Sequence, residues 1–366
     1  MKHDYSFAPC EDKTEDWWDG IRKVRNRDEQ VAYSQPRITV MILNYNGLRY
    51  LDACINSLLN QTYKNFEIVL IDNNSSDGSV EFIREKYPQV KIIKFDSNLG
   101  FSKAYNRAIS MIDADWIVML NNDTVVREDW LENLVKAIDD EEAIYGSKIL
   151  FMDYPSLVQH AGGYLTPIGA GFEIGFLRPD GEEFNRRRMV GCVCGASLLI
   201  KKRVFEELGG FDPDYVAYFE DTDLCWRAWL FGKKVIYVPQ SVVYHKYGGS
   251  WGERKSVLRV RHGQRNRLAN MFKNLELKTL VPALFVSILY DFMRIINFLR
   301  AKQVAQIKAI IDGYLYILIN FSKLRRKRLA IQKVRKRSDK DLLRLGLMAN
   351  FLQCFLEYRR LEKLPR

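Results

Sequence analysis

The sequence predicts an α/β protein, with a mainly parallel sheet flanked by helices and a helical appendage at the C-terminal end. Three observations lead there. Across residues 36–138, apolar runs of strand length alternate with segments of helical period, the pattern of strand–helix–strand units whose strands pair in parallel. Each apolar run ends in a polar, turn-forming cluster, which gathers the loops at one edge of the sheet. Beyond Leu275 the alternation stops, and long apolar stretches sit beside basic runs.

Taken in order, residues 1–35 are polar and charged, carry the Trp17-Trp18 pair and show no sustained period, so they read as an N-terminal extension. Pro36 opens the regular region. The first strand, 38–43, leads into Asn44-Tyr45-Asn46-Gly47, after which Leu51, Ile55, Leu58 and Leu59 recur at helical spacing. A second strand, 66–71, ends in Asp72-Asn73-Asn74-Ser75-Ser76-Asp77-Gly78, and a helix over 79–86 closes before Pro88. A third strand spans 90–95, Asn98-Leu99-Gly100 makes a turn, and a helix covers 101–112. The fourth strand, 116–120, stops abruptly at Asn121-Asn122-Asp123. Asn44, Asp72, Asn73 and Asp123, far apart in sequence, therefore converge at the carboxyl ends of parallel strands, where such sheets bind ligands.

Composition narrows the function. With 366 residues, 47% of them hydrophobic and 13% aromatic, the chain is globular. The net charge is +11, yet from Arg300 onward 18 Lys/Arg face only 5 Asp/Glu, so the body is near neutral and the tail is basic. That excess points to an anionic membrane surface or to nucleic acid. The basic runs lack interleaved stacking aromatics and no recognised binding module accompanies them, so no nucleic-acid partner is expected. Six cysteines with no secretory signal fit a reducing, cytoplasmic setting. Cys192 and Cys194, without a second Cys/His pair, read as small buried residues on a strand. Walker-type and Gly-x-Gly-x-x-Gly loops are absent after the first strand, which argues against a mononucleotide kinase and a dinucleotide dehydrogenase.

After a helix over 130–138 the pattern turns irregular and glycine-rich from Gly162 to Gly175. A strand over 189–200 is interrupted by Gly191 and Gly195, places where another backbone or a ligand can approach closely. A helix over 202–208 is capped by Gly209-Gly210. Glu220, Asp221 and Asp223 then crowd the first turn of a helix. Ordinary capping accounts for acidic residues there; a base poised beside a sugar hydroxyl accounts for them as well. A short strand over 235–238 precedes a glycine loop carrying His245, whose imidazole is either structural or a ligand.

In the appendage, residues 277–299 are strongly apolar but broken by Lys278, Pro282, Asp291 and Arg294. A spanning helix needs about 20 largely uncharged residues, so a helix lying in the membrane interface is the favoured reading. A second apolar stretch, 307–321, is followed by basic clusters at 323–328 and 333–337. A helical subdomain packed on the body is the other reading.

Six motifs, in order, carry a family resemblance: residues 40–47, Asp72 to Ser79, Asn98-Leu99-Gly100-Phe101, Leu120 to Thr124, Gly209-Gly210-Phe211-Asp212 and Phe219 to Leu224. Across roughly 36–270 the chain resembles the inverting glycosyltransferase family 2, in its rhamnosyltransferase-like branch. That resemblance implies the GT-A nucleotide-diphospho-sugar transferase fold with its Rossmann-like sheet. The expected organisation is then an extension at 1–35, a catalytic domain at 36–274, and, from its own apolar and basic runs, a helical region at 275–366 expected to dock on an anionic membrane at the inner face of the plasma membrane.

The resemblance also assigns roles. Asp72 would hold the nucleotide base or ribose, with Asn44 and Asn73 nearby. Asn121, Asn122 and Asp123 lie on the sugar-nucleotide, and Arg265 contacts phosphate. Asp123 is similar to the last carboxylate of the family's Asp-x-Asp motif, which binds a divalent cation (Mg²⁺ or Mn²⁺), and His245 completes the metal site. Asp221 resembles the general base, with Glu220 beside it. Asn121 stands where the family often has Asp, so fewer protein carboxylates neutralise the metal; Mg²⁺ accepts one or two carboxylates plus waters and phosphate oxygens. The implied activity is transfer of a hexose or deoxyhexose to a lipid-linked or cell-surface glycan, against the alternative of a membrane-docked scaffold without turnover. Donor, acceptor, linkage and oligomeric state stay open.

Overall fold

The structure is a computed structural model that describes residues 37–248 and 256–362; the expected extension at 1–35 and the residues 249–255 lie outside the described residues. The alternation forms as expected: β1 (Ile38–Asn44), α1 (Leu48–Leu59), β2 (Phe66–Asp72), α2 (Ser79–Lys86), β3 (Lys91–Lys94), α3 (Gly100–Ser110) and β4 (Trp116–Asn121). β3, β2, β1 and β4 lie side by side in that order, all parallel. Their side chains alternate between two apolar layers. Val40 and Ile42 pack toward α1 through Leu51, Ile55 and Leu58, and Met41 packs toward α3 through Ala104, Tyr105 and Ala108.

The irregular middle of the chain extends this sheet with antiparallel strands. It contains β5 (Thr124–Val126), α4 (Trp130–Lys136), β6 (Ile144–Phe151), β7 (Leu157–His160), the hairpin β8 (Gly163–Leu165) and β9 (Gly171–Glu173), and β10 (Arg178–Pro179). The single strand expected over 189–200 is instead two, β11 (Arg188–Met189) and β12 (Ser197–Lys201), in different parts of the sheet. Gly191 explains the break: a Cβ there would lie 2.2 Å from the Leu347 carbonyl oxygen and 2.5 Å from the Leu165 nitrogen, so the segment is pulled off the ladder against another backbone. α5 (Lys202–Glu207) ends at Gly209 and Gly210, both left-handed, as the C-cap expectation requires.

α6 (Glu220–Leu230) follows, then β13 (Val235–His245), which is longer than the strand expected over 235–238. Its register against β6 shifts between Val238 and Val242, and Pro239 sits in that irregularity, where no ladder N–H is required. His245 is therefore the last residue of a strand, not part of a loop.

The C-terminal region is helical: α7 (Val257–Asn274), α8 (Leu277–Arg300), α9 (Val304–Ile319), α10 (Phe321–Val334), α11 (Asp339–Arg344) and α12 (Phe351–Glu362). It packs on the body: Leu280, Ala283, Ile331, Leu342 and Met348 share one apolar cluster with Met41 and Trp226. The basic run is largely engaged there. Lys327 is buried and pairs with Asp212 and Asp214, Lys323 pairs with Asp214, and Arg328, Arg335 and Arg337 bond backbone carbonyls of α7 and of the α6–β13 region. Arg325, Arg326, Lys333 and Lys336 remain exposed.

Candidate active site

In-register parallel pairing sets Asn44 of β1 beside Asp72 of β2, and Leu43 beside Asn121 of β4, so three strand ends form one rim. Behind the rim, the Asn122 carboxamide donates to Asn44 Oδ1 at 2.7 Å, and Asn44 Nδ2 donates to Ser75 Oγ at 3.1 Å. Gly47 makes room for this pair, because a Cβ would stand 2.1 Å from Asn122 Nδ2. Asp72 is fully buried and accepts from the Ser75 N–H. Asn73 Nδ2 donates to Asn98 Oδ1 at 2.8 Å, and its own oxygen accepts from the Leu99 N–H.

Beyond the rim opens a groove of about 1390 Å³. Asn73, Asn121, Asn122, Asp123, Glu220, Asp221 and His245 all line it. Asn44 and Asp72 do not; they sit beneath the lining and brace it. Arg265 is not brought to the groove either. Its guanidinium bonds the Asp214 carbonyl and lies over the Tyr316 ring, 4.6 Å from the centroid, because the lining positions of α7 are Arg259, Val260, Gly263, Gln264 and Arg267 on another face of the helix.

β5 and β13 pair with His245 opposite Thr124, which lays the imidazole beside Asp123: His245 Nε2 is 3.1 Å from Asp123 Oδ1 and 3.4 Å from Asn121 Nδ2. On the other side of the ring, the Gln159 carboxamide lies 2.9 Å from Nδ1. A second-sphere amide on one ring nitrogen, with the other aimed at a carboxylate, is the arrangement of a histidine ligand. The donor set thus fits a hard divalent cation through one carboxylate and one imidazole. Among the described residues no cluster of three or more His, Cys, Asp or Glu side chains converges as a metal site. Gln159 was invisible to sequence reasoning, since it lies in a strand with no local pattern.

Across the groove stands α6, in which every residue except Asp221 is buried. Asp221 Oδ2 accepts the Gly195 N–H at 2.8 Å and Oδ1 accepts the Thr222 N–H at 2.6 Å, so the carboxylate is oriented by backbone. Gly195 faces the Asp221 side chain, but unlike Gly191 it is not a close approach: a Cβ there would make only ordinary contact, 3.5 Å from the Asp221 Cβ. Burial raises the Asp221 carboxyl above its ordinary range. Glu220, 8% exposed, is pushed up to about 8 by burial and then by the Asp221 charge. Glu220 is therefore favoured in its protonated form at neutral pH. Asp223, the third carboxylate, is structural: it is fully buried against Arg227 at 2.8 Å and Lys273 at 3.0 Å.

The approach to α6 is strained. Tyr218 and Phe219 both have left-handed backbone, φ 70° and 65°, at a cost of about 1–3 kcal/mol each. Asn266 of α7 holds the segment by donating to the Ala217 and Tyr218 carbonyls at 2.9 and 2.7 Å, and both aromatic residues line the groove.

Comparisons with known proteins bear on the family and the fold. Residues 39–209 match the family profile described as Glycosyl transferase family 2. The chain is 27% identical over 246 residues to the N-acetylglucosaminyl-diphospho-decaprenol L-rhamnosyltransferase of Mycobacterium tuberculosis, covering 59% of this chain and 78% of that protein. It is 26% identical over 224 residues to glycosyltransferase GlyG of Streptococcus pneumoniae serotype 4, covering 58% of this chain and 72% of that protein. Among solved structures, GalNAc-T7 with UDP, GalNAc and Mn2+ superposes with a TM-score of 0.54 at 19% identity, over 65% of this chain and 48% of that one. The fold is GT-A.

Proposed function

The chain belongs to glycosyltransferase family 2, and from that premise we propose that it is a cation-dependent, inverting transferase. It moves a hexose or deoxyhexose from a nucleotide donor to a glycan carried on a diphosphate-linked lipid. The observation that carries the reading is that Asp221, alone on α6 in not being buried, faces the same groove as the Asp123–His245 pair. The name of the mycobacterial relative supports the acceptor class.

Asp123 and His245 are the residues that would hold the cation, Mg²⁺ or Mn²⁺, which when bound neutralises a departing diphosphate. Asn73, Asn121 and Asn122 bind the nucleotide-sugar from the rim, braced by Asn44 and Asp72. Asp221 accepts the proton of the acceptor hydroxyl as its oxygen bonds to the anomeric carbon, and the bond to the nucleoside diphosphate breaks with the electron pair. Attack opposite the leaving group inverts the centre. Glu220, protonated, leaves Asp221 as the charged member of the pair. Tyr218 and Phe219 shield the reacting atoms from water.

Peripheral association with the inner face of the plasma membrane is part of the proposal, and α8 and α9 support a membrane contact. Leu277–Arg300 is long and apolar enough, by length and composition, to cross a membrane. Its mid-helix charges face the protein, however: Asp291 is buried and bonded to Gln264, Arg267, Arg294 and Tyr314. On the opposite face Val281, Phe285, Ile288 and Phe292 are exposed, and Ile311, Leu315 and Leu318 continue the surface on α9. With exposed Arg325 and Arg326 nearby, this is an interfacial, peripheral geometry.

The test is to incubate the protein with a panel of nucleotide sugars, Mn²⁺ and a short-chain polyprenyl-diphosphate N-acetylglucosamine. Release of nucleoside diphosphate with formation of an inverted glycoside is expected. Binding of donors with no release from any of them would contradict transfer and leave a scaffold.

A further inference from the structure

We propose that the end of the groove walled by α7 and α8 is an anion site for the phosphate of the acceptor lipid, with the isoprenoid chain leaving at the α8–α9 turn. This rests on the transferase reading and assigns the acceptor's phosphate to residues beyond the 39–209 family domain.

The groove is large. Its volume of about 1390 Å³ exceeds the roughly 300–1,000 Å³ typical of a small-molecule pocket. Its walls also differ in charge. Asp123, Glu220 and Asp221 line it from the β4 end and α6, and Arg267, Arg294 and Arg300 line it from α7 and α8, with Arg259 between them. Asp291 offsets part of that charge through Arg267 at 2.7 Å and Arg294 at 2.9 Å. Arg259 is bonded to the Tyr247 hydroxyl at 2.9 Å and lies over the Tyr218 and Tyr247 rings, with the Glu173 carboxylate acting on it from a distance. Arg300 is exposed at the last turn of α8. The guanidiniums of Arg267, Arg294 and Arg300 on α7 and α8, offset by Asp291, suit a phosphate or diphosphate, which guanidinium groups bind through paired N–H donors.

The location fits a lipid. Tyr290, Arg294, Asn297, Phe298 and Ala301 share one face of α8 and line the groove, while Val281, Phe285, Ile288 and Phe292 occupy the opposite, exposed face. α8 is thus a partition with an anion site on one side and an apolar surface on the other. The groove reaches its end at Arg300, Ala301 and Gln303, where Leu299 and Val304 are 59% and 70% exposed. A lipid phosphate seated on the arginines has an apolar path for its chain there.

The experiment measures binding of farnesyl diphosphate, farnesol and inorganic diphosphate to the full chain in EDTA, which removes cation-dependent donor binding. Farnesyl diphosphate is expected to bind most tightly. Arg300→Glu is expected to weaken it by about tenfold or more, as loss of a charge-assisted contact should, and to leave farnesol and Mn²⁺-dependent nucleotide binding unchanged. Farnesol binding as tightly as farnesyl diphosphate, or no effect of Arg300→Glu, would overturn the anion site. Inorganic diphosphate binding as tightly as farnesyl diphosphate would overturn the lipid assignment. Arg300 is exposed, so the variant folds, and because the readout is binding, a failure of turnover is separable from a failure of this site.

Discussion

The two walls of the groove are built by opposite means. The strand-end rim is held by neighbours in the sheet: Asn44, Asp72 and Asn121 stand together because β1, β2 and β4 run parallel in register. The α6 wall is held from a distance. Asp212 and Asp223, which flank the segment leading into α6 and its first turn, are buried against Lys273 of α7 at 2.5 and 3.0 Å, and Lys327 of α10 completes the group with Asp212 and Asp214. Side chains of the rim are thus fixed by backbone pairing. The wall that carries Asp221 depends on ionic contacts spanning more than a hundred residues.

That difference can be broken on either side. The largest effect is expected at the rim's metal pair: Asp123→Ala should abolish Mn²⁺-dependent nucleotide binding in calorimetry, and leave thermal unfolding close to that of the parent. On the α6 side, Lys327→Met leaves Asp212 and Asp214 short of a cation. A broken buried pair costs about 3–5 kcal/mol, so the denaturant midpoint should fall sharply; an unchanged midpoint would show that α10 does not hold the wall. Gly47→Ala is milder and stays on the rim, where the new methyl displaces Asn122 from Asn44. Overpacking of this kind costs about 1–3 kcal/mol, and the expected signature is weaker nucleotide binding with the pH profile of turnover preserved.

The smallest effect sharpens the comparison through pH. Glu220 ordinarily titrates near 4.5 and in the fold is raised to about 8. Its folded form keeps a proton that the unfolded chain releases, so this contribution is fully present below 4.5 and is lost as pH rises toward 8, at up to about 1.4 kcal/mol per pH unit. Glu220→Gln should flatten the decline in stability between those values, as followed by urea unfolding at pH 5, 6.5 and 8. An unaltered slope would place the titrating group elsewhere.

The same asymmetry decides what the sequence discloses. β1 to β4 are legible to within a residue or two because each is an uninterrupted apolar run ending in a polar turn. β6 is equally buried and was not legible. Gly146, Ser147 and Lys148 interrupt its pattern, and they are tolerated because Ser147 bonds Ser197 and Ser241 while Lys148 meets Asp180 and Asn185. Asp123, His245 and Asp221 could be named from motifs, and the structure lines one groove with all three. Gln159 and the arginine-lined end could not, since long-range packing assembles them. Arg265 misled for the same reason, because helical facing in α7 is set by Asp214 and Tyr316 from other segments.

One measurement bears most directly on the central claim: donor binding and sugar transfer in Asp221→Asn, side by side with the parent. Asparagine is nearly isosteric and keeps an oxygen for the Gly195 N–H, so nucleotide affinity in Mn²⁺ should be unchanged, while transfer should fall by about 10²–10⁴-fold, the usual worth of a general base. Transfer at the parent's rate would contradict the assignment of Asp221, and with it the account of α6 as the wall that acts on the acceptor.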